Sequence, residues 1–242
     1  MISPFEWDLA NYAENLLVEQ CMNGQGFDWP VPRRDVSSLK PSAVRSDGGR
    51  KLFDVDIAAA YGYRSPDWLP PDVVAAEQEF SSLVLTPEKQ AAVDRCITQD
   101  ARDELPLPAN YTQLAVDLAS EALATALEST EVEDAAAAWR ECMGPLGIPD
   151  LPESPLAMPT DALMDEWGMD QPGAQASADQ ISIAVADAEC RASSGYDATL
   201  YNAELRLQTV ALTNNSDELV AEQAEGDAYV ARAMSKLAEI GG

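Results

Sequence analysis

Cys21, Cys96, Cys142 and Cys190 are the residues best equipped for covalent chemistry, and the chain has no histidine to work with them. The missing imidazole excludes Ser-His-Asp and Cys-His nucleophile systems, histidine metal sites and histidine pH switches together. No two cysteines stand in a C-x-x-C arrangement, so neither a dithiol redox motif nor a zinc knuckle is present. Four scattered cysteines fit either two disulfides, in any of three pairings, or four buried thiols. Carboxylates are the other reactive groups. Asp54 and Asp56 flank Val55, and Glu131, Glu133 and Asp134 gather at a predicted helix start. Such groups could hold a divalent cation or act as acid and base. Among 42 acidic residues close pairs also arise by chance, and acidic side chains at a helix start complement its dipole. No catalytic, metal-binding or cofactor-binding residue is therefore assigned, and no cofactor is expected. Trp29 and Trp68 sit beside prolines. Loop tryptophans of this kind either anchor a partner or clamp the loop to the core, so both are candidate partner-binding residues.

Charge narrows the partners. Fifteen basic against 42 acidic residues give a formal net charge of −27. A field of that sign repels phosphate backbones, so nucleic acid is excluded as a partner, and a basic or cell-envelope protein suits it better. No stretch approaches the ~18 consecutive apolar residues of a membrane span. The first residues also lack the basic and apolar regions of a signal peptide.

The elements that must position these residues read as helices. Ser3-Pro4 opens an amphipathic helix to residue 22, stopped by Asn23-Gly24 and Gly26. A loop rich in Pro, Arg, Ser and Gly follows to residue 50, pinned by Phe27 and Trp29. Short helices are predicted over 56–61 and 72–83, and Thr86-Pro87-Glu88 starts another. Residues 109–128 form a further helix. Thr130 and Glu133 have capping-box spacing at the head of a helix ending at Cys142-Met143. Six prolines mark residues 148–173 and their approach as a connector with one short helix near 161–167. Ser177 and Gln180 repeat the capping-box spacing before a helix to Arg191. After a turn at Ser193-Ser194-Gly195, one long helix, or two in line bending at Asn214-Asn215-Ser216, completes a helical hairpin. Ser82–Leu85 is the lone strand candidate. The fold class is all-α: an irregular helical bundle with long Pro-rich loops and a C-terminal hairpin with a long last helix. Residues 1–147, the connector 148–173 and 174–242 are its parts, with the last packed on the first.

Two passages echo one another: Gln20-Cys21-Met22 with Gly26-Phe27, and Glu141-Cys142-Met143 with Gly147-Ile148. Together with Asp28-Trp29-Pro30, Ala138-Trp139-Arg140 and Ala186-Asp187-Ala188-Glu189-Cys190-Arg191, they resemble a group of uncharacterised secreted proteins and lipoproteins of actinobacteria. The resemblance extends over most of the chain and implies export, disulfides and an activity not yet known. The chain departs from it in lacking an export signal, which leaves a cytoplasmic location as the alternative. Export implies the pairing Cys142–Cys190 with Cys21–Cys96, the first tying a helix end to the C-terminal hairpin across the connector. The expected function is a non-enzymatic helical cell-envelope or extracellular protein that binds a partner or ligand, as an accessory to an export or surface complex. The alternative is a hydrolase or lyase using carboxylates alone, which needs two acidic groups converging in a pocket.

Overall fold

The computed structural model describes residues 2–41, 53–64, 69–108, 113–148, 150–169 and 175–240. All regular structure among them is helical, and Ser82–Leu85 joins no strand pair. Helix α1 (Pro4–Gly24) starts with a reciprocal cap. Glu6 N donates to Ser3 Oγ at 3.2 Å and Ser3 N to Glu6 Oε2 at 2.8 Å. These bonds satisfy two amides that a helix start would otherwise leave bare. At the other end the chain turns away through Gly26, whose φ of 85° lies in the left-handed region that glycine enters without steric cost.

The next helices are α2 (Val55–Tyr61), α3 (Pro71–Ser81) and α4 (Pro87–Arg95), which passes through a π-helical turn (Cys96–Ala101) into α5 (Arg102–Glu104). The wider turn brings residues five apart onto nearly one face. Cys96 and Ala101, both fully buried, consequently pack in the same core as α1.

Helix α6 (Gln113–Leu127) is followed closely by α7 (Thr130–Met143). The expected cap is displaced here. Ser129, not Thr130, is the N-cap, and its side chain makes no capping bond. Ser129 Oγ instead donates to Ala126 O at 2.7 Å, tying the short turn back to α6. The α-helical part of α7 stops at Met143, but the chain continues through a 3₁₀ turn (Gly144–Leu146) before Gly147, at φ 69°, redirects it. Beyond lie a 3₁₀ turn (Pro155–Ala157) and α8 (Asp161–Glu166).

Helix α9 (Ala178–Ser194) starts on Ser177, which accepts from Gln180 N at 3.2 Å. Only half of a capping box forms. The Gln180 side chain turns inward, fully buried, and neither end of its amide has a partner. Gly195, at φ 70°, separates α9 from α10 (Tyr196–Asn214), and α11 (Ser216–Ile240) follows after a break at Asn215.

Three apolar cores hold these helices. In the first, Leu9, Tyr12, Ala13 and Leu16 of α1 meet Ala92, Cys96 and Leu105, with Tyr229, Ala233 and Leu237 of α11. The second joins Trp139 and Met143 of α7 to Ala184 and Ala188 of α9, with Ala58 of α2 and Leu163 of α8. The third packs Ala126 of α6 and Val132 of α7 against Tyr196, Leu200 and Ala203 of α10. Each core draws on chain from both sides of the 148–173 connector.

Two disulfides close the frame. Cys21 bonds to Cys96 with Cα atoms 5.8 Å apart, and Cys142 to Cys190 at 5.6 Å. The two echoed passages do the same work. In each, a helix ends on a bridged cysteine followed by a fully buried methionine, Met22 or Met143, before a left-handed glycine. The bridges span 75 and 48 residues, lengths at which cross-linking removes much unfolded-state entropy. Non-reducing peptide mapping is expected to recover these two pairs and no other. Replacing Cys142 and Cys190 together by alanine is expected to lower the unfolding free energy by about 3 kcal/mol in a denaturant titration.

Candidate functional site

Two constellations combine polar and aromatic side chains. One is closed and the other is open to solvent.

The closed one centres on Asp187, which has no solvent exposure. A buried carboxylate must replace its hydration with protein donors. Asp187 accepts from Trp139 Nε1 at 2.8 Å, Tyr63 Oη at 2.9 Å and Arg191 Nε at 2.8 Å. Arg191, one helical turn on, also donates to Pro155 O at 2.5 Å and lies 4.8 Å from the centre of the Phe53 ring. Phe53, Tyr63 and Trp167 stack in sequence, at centroid distances of 5.4 and 5.9 Å. Burial, then the Asp187 charge, push the Tyr63 phenol far above its ordinary range. The group is saturated with bonds and offers a substrate no approach. Its chemistry is structural: it ties α2, α7, α9 and the Pro155 turn together.

The open constellation is a cleft of about 360 Å³. Its floor comes from α1. Asp8, Tyr12, Asn15 and Glu19 recur at helical steps of three and four, so they form one stripe along α1. Three of them hold a strap of irregular chain, residues 29–34, across the helix. Glu19 Oε1 accepts from Val31 N at 3.2 Å, Tyr12 Oη accepts from Arg34 N at 3.0 Å, and Asp8 pairs with the Arg34 guanidinium at 2.7 Å. Asn15 faces the cleft and stays exposed. The strap contributes Trp29, Val31 and Pro32 as one wall. Glu77, Phe80 and Ser81 of α3, with Leu83 and Leu85 beyond it, form the other. Arg34 bridges the walls, donating from Nε to Glu77 at 2.6 Å while it holds Asp8.

Of the two roles that its loop setting suggested, the structure shows Trp29 in that of clamping the loop to the core. It is buried in the first core, with Phe80 edge-on at 5.1 Å and Lys89 Nζ 5.1 Å from its ring centre. It also lines the cleft. Trp68 lies outside the described residues. The carboxylate groups do not converge. Asp54 caps α2 by accepting from Ile57 N at 2.8 Å, and Glu131 pairs with Arg206 at 2.5 Å on the surface. Glu77 is the lone carboxylate among the described residues lining the cleft.

Cys21, Cys96 and Asp100 come together closely enough to suggest a metal centre. Both sulfurs are committed to the bridge, however, and have no thiolate to offer. Gln25 Nε2 donates to them at 3.2 and 3.1 Å, and Gln25 Oε1 accepts from Arg95 at 3.2 Å. The group is a capped disulfide.

The cleft and the Asp187 centre were not assigned from sequence. Spacing held a signal for each: Asp187 and Arg191 are an i, i+4 pair inside a helix, and Asp8 and Glu19 border the apolar stripe of α1. No family model matches the chain, and no curated protein or solved structure matches it.

Replacing Asp187 by alanine strands the buried Arg191 charge, and a loss of about 3–5 kcal/mol is expected in urea unfolding. Tyr63 adds a pH dependence. Its pKa is raised on folding, so its contribution is complete below the unfolded tyrosine value of about 10 and falls as the pH rises beyond it. The fall is expected at about 1.4 kcal/mol per pH unit. A Tyr63→Phe variant should be less stable at neutral pH and lose stability less steeply above pH ~10, which thermal melts across that range will check.

Proposed function

We propose that this chain is a helical extracellular or cell-envelope binding protein whose cleft beside Trp29 receives part of a partner or ligand. The observation that carries the reading is the cleft itself, where Trp29, Phe80 and aliphatic side chains alternate with polar groups of Tyr12, Asn15, Arg34, Glu77 and Ser81 around a volume of about 360 Å³. Concave sites of that size, with apolar walls and placed polar groups, are where proteins bind small molecules and partner side chains.

Two disulfides suit an oxidising compartment, where such bonds persist. No helix among the described residues is long and apolar enough to cross a membrane. Export is what the resemblance to secreted actinobacterial proteins implies, and a role as accessory to an export or surface complex follows from the same source. The net charge of −27 favours a basic partner over an anionic one. The alternative, carboxylate-dependent hydrolysis or lysis, finds little support in the cleft, where Glu77 stands in the grip of Arg34.

Asn15 is exposed on α1 and lines the cleft, so Asn15→Trp fills it without disturbing a core. The native protein and this variant, immobilised side by side and exposed to envelope extract and culture fluid of the source cells, should differ. A species held by the native protein is expected to bind the variant about tenfold more weakly. Equal retention of every species by both proteins would remove the cleft from the binding reading.

A further inference from the structure

Between α3 and α4 the chain runs without helix from Leu83 to Thr86. Its side chains alternate. Leu83, 42% exposed, and the half-buried Leu85 line the cleft, while Val84 between them is 96% exposed. That two-residue period belongs to extended chain, and the backbone at Thr86, φ −70° and ψ 155°, is extended as well.

Its hydrogen bonding is incomplete. Leu83 N donates to Phe80 O at 3.3 Å, and Thr86 O accepts from Gln90 N at 2.9 Å. Between those two bonds, the N–H groups of Val84 and Leu85 and the carbonyls of Leu83, Val84 and Leu85 make no backbone hydrogen bond among the described residues. The cleft is thus bordered by a short edge of extended chain with open donors and acceptors, a template on which a further strand can form.

We infer that the cleft takes an extended peptide of a partner protein, apolar at alternate positions and flanked by lysine or arginine, which pairs along the backbone of Leu83–Leu85. The inference rests on the reading of the cleft as a binding site and names what enters it. Strand addition supplies main-chain hydrogen bonds, and pockets beside the edge select alternate side chains. Trp29, Phe80, Leu83 and Leu85 give the apolar pocket. Basic flanks follow from the net charge of −27 that the chain carries, since Glu77 on the cleft wall is already paired with Arg34. The same charge opposes a second copy of this chain as the occupant, since each copy would bring an equal negative field.

A displayed library of random short peptides, selected on the oxidised full chain, tests the inference. The selected peptides should alternate apolar residues and carry basic flanks. Their binding, measured by fluorescence anisotropy, should fall about tenfold or more when alternate backbone nitrogens are methylated, which removes donors and leaves every side chain in place. Val84→Pro removes an amide from the edge at a side chain that touches no core, and should weaken binding similarly; Val84→Thr, which keeps the amide, should retain it. Peptides that are lost on Asn15→Trp but indifferent to methylation and to Val84→Pro would overturn strand pairing and leave the cleft reading intact. Selection of no peptide, or only of peptides indifferent to Asn15→Trp, would overturn the inference, with the extract comparison deciding the cleft reading separately. A self-associated chain that Val84→Pro returns to monomer in light scattering would replace the peptide partner with a second copy.

Discussion

A carboxylate removed from water must recover its hydrogen bonds from the protein, and Asp187 recovers them from well-separated stretches of chain. Trp139, Tyr63 and Arg191 converge on it from α7, the turn after α2, and α9 itself. These donors have a fixed geometry, so the apolar contacts around them gain a register that greasy surfaces alone do not specify. Arg191 extends the constraint to the Pro155 turn. A pair buried in this way is weak evidence for stability, because its desolvation offsets much of its attraction. What it fixes is which helices meet and how. The Cys142–Cys190 bridge closes on the same two helices, three residues after Asp187 and three after Trp139, and holds together what the carboxylate positions.

The first core is organised differently. There α1 is central, and its buried face meets α11 and the π-helical turn. Its polar stripe is used as well: Asp8, Tyr12 and Glu19 fasten the strap that carries Trp29 and Arg34. One helix therefore serves the core with one face and shapes a concave surface with the next. The strap at residues 29–34 is shaped by bonds to side chains of α1, since its backbone joins no sheet or helix.

Much of this organisation is legible in the sequence because it is local. Ser3 and Glu6, the Thr86-Pro87 start, and the glycines at 26, 147 and 195 act within a few residues of where they stand. Helical periodicity located α1 and α9 for the same reason. The Thr130 cap was misplaced by one position because Ser129 is held by α6, a neighbour that the capping pattern does not include. The half-formed box at Ser177 fails because Gln180 is drawn inward instead of reaching back to the helix start. Of the cleft, only the polar stripe of α1 that floors it left a trace in the spacing. Its walls come from α1, the strap and α3, and the Arg34–Glu77 bridge joins residues 43 apart in the chain. Nothing in the spacing of either residue names the other.

Helix α3 forms one wall of that cleft yet has no buried residue of its own. It is fastened at its edges, through Glu77 to Arg34 and through Phe80 to Trp29. An element with so little burial can detach and return while the cores stay intact, because the free energy of its opening is only a fraction of that for global unfolding. Its amides will thus exchange with solvent hydrogen by a local route, far ahead of those in α1. Any occupant of the cleft contacts this wall and α1 at once, and so selects the docked form. For a cleft that binds as proposed, affinity would be coupled to the ordering of a single helix, and a substitution on the outer face of α3 would tune binding without touching the occupant.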